Sequence, residues 1–96
     1  MRFALCGTFL ATSGNGDALL EVLLDAADAL SSDPECVQYT VGRAGDDEVA
    51  VFELWENEAA HEASLQREEI QAIIARGRPL IAGMGSSIRF TVPTDR

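Results

Sequence analysis

Two predicted strands of this sequence are apolar on both of their faces. Alternate side chains of a strand point to opposite sides of its sheet. In the strands predicted at residues 3–12 and 48–55, both alternate sets of side chains are largely apolar. A sheet with two apolar faces is stable in water only when both faces are covered. The chain must therefore provide or recruit two covering layers.

Hydrophobic periodicity and turn residues predict two helical regions and two further strands. A helix at residues 17–30 has an apolar stripe, and Pro34 follows its end. A second helix begins at Asn57, and another helical segment at residues 67–76 ends before Gly77 and Pro79. Strands are predicted at residues 36–43 and, after a turn at residues 83–85, at residues 87–92. The residues expected to face the core from the first helix are Leu20, Leu23, Leu24, Ala27 and Leu30.

The resulting order, β-α-β-β-α-β, is that of the ferredoxin-like α+β fold with an antiparallel four-stranded sheet. We expect a single domain over residues 1–96. Two helical regions can cover only one face of such a sheet. The simplest cover for the other face is a second copy of the chain, so the sequence predicts a homodimer.

Charge and composition exclude several classes of function. The net charge of −9 disfavours nucleic-acid binding, which depends on a basic surface. All seven basic residues are Arg, so no lysine can form a Schiff base. No apolar run is long enough to span a membrane, and the first residues lack a signal-peptide pattern, so we expect a cytoplasmic protein. Cys6 and Cys36 have no metal-ligand spacing and are expected to be buried free thiols.

The junction after the third predicted strand carries the chemically distinctive residues. Trp55 and His61 are the only residues of their types in the chain, and Asn57 lies between them at a predicted helix start. We hypothesise that these three side chains line a pocket. The alternatives are that Trp55 is a core residue, that His61 faces solvent, and that Asn57 only caps the helix. Glu53 shares a strand face with Trp55 and is expected to pair with Arg43 or Arg89, or to lie at a rim.

With these features the chain resembles the antibiotic biosynthesis monooxygenase domains, a branch of the dimeric α+β barrel superfamily that includes quinol monooxygenases. The resemblance rests on residues 33–36 with Tyr39, on residues 52–55, and on residues 59–61 with Ser64 and Leu65. It implies oxidation of an electron-rich aromatic by dioxygen without flavin, haem or metal. It also implies a dimeric barrel.

The resemblance further suggests roles for individual residues. Trp55 would form an aromatic wall, His61 would act as the base, and Asn57 would orient a carbonyl group or dioxygen. Haem-degrading relatives place an Asn on the first strand, where this chain has Gly7, so no haem is expected. Residues expected to line the substrate pocket are Phe9, Phe52, Leu65 and Met84.

Two other functions remain compatible with the sequence. The domain could bind a small apolar ligand without turnover, because one His with no evident orienting partner is little evidence for catalysis. It could also be an isomerase or decarboxylase, which needs a base but no dioxygen. The glycine-containing segments at residues 14–16 and 83–85 do not fit the dinucleotide-binding pattern, so no nucleotide cofactor is expected.

Overall fold

The structure is a computed structural model that describes residues 1–93 of the 96. It contains four strands, three helices and one short 3-10 turn at Arg78–Leu80. The strands are β1 (Arg2–Ala11), β2 (Cys36–Gly45), β3 (Glu48–Trp55) and β4 (Ile81–Val92), and the helices are α1 (Gly16–Leu30), α2 (Glu58–Ser64) and α3 (Glu68–Gly77).

The four strands form one antiparallel sheet in the order β2-β3-β1-β4. This arrangement confirms the predicted ferredoxin-like α+β fold. On β3 the buried residues are every second one, from Val49 to Trp55, while the residues between them are only partly buried. The helices therefore cover the face of the sheet that carries Val49 and Trp55, which we call the covered face. The opposite face is called the open face.

Two clusters of side chains pack between the covered face and the helices. One joins Phe3 and Trp55 of the sheet to Leu30 and Ile70 of α1 and α3. The other joins Val49 to Leu19 at the opposite end of α1. Trp55, Leu19 and Val49 are the largest side chains that are completely buried. Burial of this kind is the main source of stability in a chain of this size.

The inward face of α1 differs from the predicted one. The buried side chains are those of Leu19, Val22, Ala26 and Leu30, whereas Leu24 is 38% exposed. The helix has leucines at four positions within six residues, so two neighbouring arcs of its surface are apolar and either could face the sheet. One of these arcs packs against the sheet, and Leu20 and Leu23 lie at the edge of that arc, where they are partly buried.

Strand β4 is longer than predicted, because the segment at residues 83–85 belongs to it and forms no turn. Gly83 pairs with Leu10 and Met84 with Phe9 across two register shifts that leave extra residues on β4. A Cβ atom at Gly85 would collide with the side chain of Thr8, so a glycine is needed at this close approach of the two strands.

The open face has no covering layer from the described residues. Leu10, Ile88 and Phe90 are 38%, 59% and 43% exposed, and they are joined there by partly buried Phe52 and Leu54. Cys6 also lies on this face and is exposed, and Cys36 is only partly buried. Both thiols are free, as predicted, but the prediction that both are buried is wrong, because Cys6 lies on the face that the described helices do not cover.

Candidate functional site

A cavity of about 330 Å³ lies between the covered face of the sheet and helices α1 and α3. Its walls are mostly aliphatic side chains from all of these elements. Five polar side chains also border it: Tyr39, Glu53, His61, Ser64 and Arg78. Apolar walls with a few convergent polar groups are typical of small-molecule sites.

Strand register brings the polar groups of the sheet together. Tyr39 of β2 lies directly opposite Glu53 of β3, and Glu53 lies opposite Leu5 of β1. Side chains at paired positions share one face of a sheet, so these three project into the cavity as one row. Arg89 of β4, paired with Leu5, continues the row at the sheet edge.

Helix α2 places His61 above this row. The side-chain oxygen of Asn57 accepts a hydrogen bond from the backbone N–H of Ala60 at 2.8 Å, which fixes the helix start directly after β3. His61 follows one turn later, and its side chain is buried. The imidazole packs between the rings of Phe3 and Trp55, with ring centroids at 5.5 and 5.7 Å.

Glu53 is a buried carboxyl group held from two directions. The indole N–H of Trp55 donates a hydrogen bond to its Oε1 at 3.1 Å, and Nε2 of His61 lies 3.7 Å from the same oxygen. Burial raises the pKa of Glu53 above its ordinary value, and the Trp55 hydrogen bond and the positive charges of His61 and Arg89 oppose that rise. The carboxyl group thus lies close enough to the imidazole for the charges of the two groups to interact.

The second ring nitrogen of His61 is not engaged in the same way. Nδ1 is buried and has no hydrogen-bond partner among the described residues, although Oε1 of the exposed Glu62 lies 3.6 Å away. A buried nitrogen without a partner is costly in a folded protein. The imidazole therefore retains an unused donor or acceptor.

Tyr39 and Cys36 are weak acids in this environment. Burial, together with the nearby Glu53 and Cys36, raises the pKa of the Tyr39 phenol. Burial, followed by Glu53 and Asp33, raises the pKa of the Cys36 thiol to about 11. Both groups are therefore protonated near neutral pH, and Tyr39 is available as a hydrogen-bond donor at the cavity wall.

The structure places the predicted site residues in three different settings. His61, Phe9 and Leu65 border the cavity. Trp55 lies one layer behind it, completely buried, and supports Glu53 without forming a wall. Asn57 is exposed, and its oxygen is used by the helix cap, so the expected placement in the pocket is corrected.

Phe52 and Met84 are also not placed in the cavity. Phe52 is on the open face, because its neighbour Glu53 occupies the covered one. Met84 is 53% exposed and borders a separate hollow of about 40 Å³. Sequence reasoning did not assign Glu53 and Tyr39 to the site, although the two-residue spacing of Glu53 from buried Val51 and Trp55 was a usable signal.

In the described residues, no group of three or more His, Cys, Asp or Glu side chains is arranged to hold a metal ion. No helix in that part of the chain is long and apolar enough to cross a membrane.

The fold and the site together define a ferredoxin-like α+β protein with an apolar cavity and a buried carboxyl–imidazole pair. The family model "Antibiotic biosynthesis monooxygenase" matches residues 2–76. The chain belongs to this family, which confirms the resemblance drawn from its motifs.

Solved structures agree with this assignment. A candidate antibiotic biosynthesis monooxygenase from Chloroflexus aurantiacus J-10-fl is 33% identical, with a TM-score of 0.89 over 100% of this chain and 97% of that one. Two more distant structures share the fold: one from Deinococcus radiodurans (17% identity, TM-score 0.82, 100% and 96% covered) and Rv0793 from Mycobacterium tuberculosis (16%, 0.83, 100% and 98%). The comparison with curated proteins found no match.

Proposed function

We propose that the protein oxygenates an electron-rich aromatic compound, such as a quinol or a polyketide-like phenol, with dioxygen and without a cofactor. The observation that supports this most is the buried Glu53–His61 pair at the wall of an apolar cavity. A cavity of about 330 Å³ is of the size that accepts a small ring system. Family membership agrees with a monooxygenase or a small-molecule-binding module.

The proposed reaction needs no external reductant. A quinol reacts with one dioxygen molecule to give a hydroxyquinone and one water molecule. One oxygen atom enters the ring, and the other takes up two hydrogens from the substrate. The substrate supplies all four electrons, so the protein has to bind the ring, remove a proton and keep bulk water out.

The base in this scheme is His61. Deprotonation of the phenol produces the electron-rich anion that reacts with dioxygen, and an imidazole can accept that proton near neutral pH. Glu53, 3.7 Å from Nε2, stabilises the imidazolium that forms and fixes the ring orientation. Trp55 in turn holds Glu53 through its indole N–H.

Apolar contacts supply the rest of the site. Phe9 and Leu65 border the cavity together with Ile70, Ile73 and Ile74 of α3. These side chains offer the ring of a substrate an apolar surface and leave few positions where water can be held. A negative charge that develops on the substrate oxygen can accept a hydrogen bond from protonated Tyr39.

We also propose that the protein works as a homodimer in which two open faces pack against each other. The exposed side chains of Leu10, Ile88 and Phe90 support this, because adjacent apolar side chains on one sheet face are a typical association surface. Each copy would then cover the other's open face.

A second candidate function is binding without turnover. It is favoured by the nearly complete apolar lining of the cavity, which by itself suits storage or sensing of an aromatic ligand. Saturable binding without oxygen consumption would distinguish this function from the first.

The test is oxygen uptake with 1,4-dihydroxynaphthalene, compared with the uncatalysed rate. Glu53 and Glu62 offer a matched pair, because each lies near one nitrogen of His61 but only Glu53 is buried. We expect His61→Ala to lower kcat by about 10²–10⁴-fold and Glu53→Gln by about tenfold, whereas Glu62→Gln has little effect. Trp55→Ala should also reduce the rate, through loss of support for Glu53.

Equal rates in wild type, His61→Ala and Glu53→Gln, with circular dichroism showing an intact fold, would refute the proposed chemistry. Turnover of substrate under argon would refute the role of dioxygen and indicate an isomerase or decarboxylase.

A further inference from the structure

A second hollow, of about 450 Å³, adjoins the cavity at the end of α3. Leu65, Ile74 and Arg78 border both spaces. Gln71 and Ala75, on the outer side of α3, border only the hollow. Because three residues are common to both spaces, the hollow lies at the entrance to the cavity, and Arg78 stands at the boundary.

Arg78 differs from the other arginines of the described residues. Arg43, Arg67, Arg76 and Arg89 each form an ion pair with at least one Asp or Glu. Arg2 also pairs with Glu56. Within residues 1–93, Arg78 makes no ion pair and no side-chain hydrogen bond. This is notable in a chain with sixteen acidic and seven basic residues.

An acidic neighbour for Arg78 would be easy to supply in so acidic a chain. Instead, the exposed charge lies beside the entrance to an apolar cavity. A guanidinium group has donors arranged to bind the two oxygens of a carboxylate or sulfonate at once. Its attraction also acts locally, since at physiological ionic strength the repulsion from the protein's distant negative charges is screened within about 8 Å.

We propose that Arg78 is a specificity-determining residue that binds an anionic group on the ligand while the ligand's aromatic part occupies the cavity. The preferred ligands are then aromatic acids and not neutral aromatics. This inference rests on the cavity of the proposed function being the ligand site, but it does not depend on the reaction with dioxygen.

The structural alternative is that Arg78 serves only the end of helix α3. It is the C-cap residue, and a positive charge there complements the helix dipole. In that case its removal would lower the stability without changing the ligand preference, so the two roles can be separated.

Two fluorescent probes provide the experiment: 8-anilino-1-naphthalenesulfonate and N-phenyl-1-naphthylamine, which share one aromatic framework and differ by the sulfonate. We expect Arg78→Ala to weaken binding of the sulfonate about fivefold and to leave the neutral probe unchanged. Arg76→Ala is the matched control, because it removes the same charge two residues away from Arg78. Unlike Arg78, Arg76 forms an ion pair, with Asp25 at 2.6 Å. The Arg76→Ala change should affect neither probe.

A further variant locates the binding. Ala26 borders the cavity, and Ala26→Leu adds bulk inside it, so it should weaken both probes. Unfolding melts of all variants separate binding effects from loss of stability.

The outcomes distinguish this inference from the proposed function. Equal weakening by Arg76→Ala and Arg78→Ala, or an Arg78→Ala variant that only melts earlier, would overturn the role of Arg78 alone. Failure of wild type to bind either probe, or binding insensitive to Ala26→Leu, would overturn the cavity as the ligand site and hence both proposals. Preference for the sulfonate without oxygen uptake on any quinol would leave Arg78 supported and refute the oxygenase reaction.

Discussion

The two faces of the sheet have different roles although they alternate along the same strands. On the covered face, helices α1 and α3 enclose a cavity with Glu53 and His61 at its wall. On the open face, Ile88 and Phe90 are exposed, and no described helix covers them. One face is covered by helices of the same chain, and the other has no cover among the described residues.

This difference separates the cavity from the exposed apolar surface. The covered face can hold a buried carboxyl group because Trp55 and His61 surround it. The open face exposes large apolar groups that would cost free energy if they stayed in water. Changes on one face should therefore leave the properties of the other face largely intact.

The largest effect is expected from a charge placed on the open face. Ile88→Asp would bury a carboxylate in the proposed interface, and two-fold symmetry repeats the cost, for a total of about 4 kcal/mol. The dissociation constant of the dimer should rise about a thousandfold, as measured by analytical ultracentrifugation. The control is Leu24→Asp, on the solvent side of α1, where the leucine is 38% exposed.

The control variant should remain as dimeric as wild type. A wild-type protein that is monomeric at high concentration, or equal behaviour of the two variants, would contradict the proposed assembly.

The second prediction compares the two thiols, one on each face. Cys36 packs in the cluster around Trp55 on the covered face, and its pKa is raised to about 11, so very little thiolate exists at pH 8. Cys6 is exposed on the open face. In monomeric Ile88→Asp, Cys6 should react with Ellman's reagent about a hundredfold faster than Cys36.

The same labelling in wild type sharpens the comparison. The reaction of Cys6 should slow as protein concentration rises, because association covers the open face, while Cys36 stays slow throughout. Single variants Cys6→Ser and Cys36→Ser assign the two rates. A Cys6 rate independent of concentration would argue against burial of this face.

The smallest effect concerns the pH dependence of stability at the covered face. Because burial raises the pKa of Glu53 above its ordinary value of 4.5, the folded state favours the protonated form. The contribution of this raised pKa to folding stability is complete at pH values below the pKa of Glu53 in the unfolded chain. It is lost as the pH rises through the pKa of Glu53 in the folded protein. Glu53→Gln, neutral at every pH, should therefore gain stability relative to wild type as pH increases above about 4.5.

This gain should appear in urea unfolding when the stabilities of the two proteins at pH 5 and pH 8 are compared. The exposed Glu62→Gln serves as the control and should follow wild type at all pH values. A relative stability of Glu53→Gln that falls as pH rises would show that the ionised carboxylate is the favoured form in the folded protein.

Local patterns were enough to predict most of the fold. Strand β3 matches its prediction residue for residue, because alternation and the preceding hairpin turn are both encoded nearby in sequence. The sequence predicts a turn at the glycines of β4. The structure places them in a strand, because Gly85 lies against the side chain of Thr8 on β1, a contact that the local sequence does not encode. The buried face of α1 could not be predicted for a similar reason, because packing against the sheet determines which of its two apolar arcs is buried.

The site was predicted less completely than the fold. The position of His61 at the start of α2 could be anticipated from the Asn57 cap. The hydrogen bond from Trp55 to Glu53 is local, between two residues of one strand, whereas the position of Arg78 beside the cavity depends on how distant elements meet. Such contacts leave no periodic pattern in the sequence.

The most direct test of the account is to ask which face binds an aromatic ligand. Backbone amide shifts of isotope-labelled protein, titrated with 1-naphthol, would show the answer residue by residue. The account predicts shifts concentrated around the cavity, at residues such as His61, Ser64 and Ile73. Shifts concentrated instead at Cys6, Phe52 and Ile88 would contradict the central claim that the covered face holds the functional site.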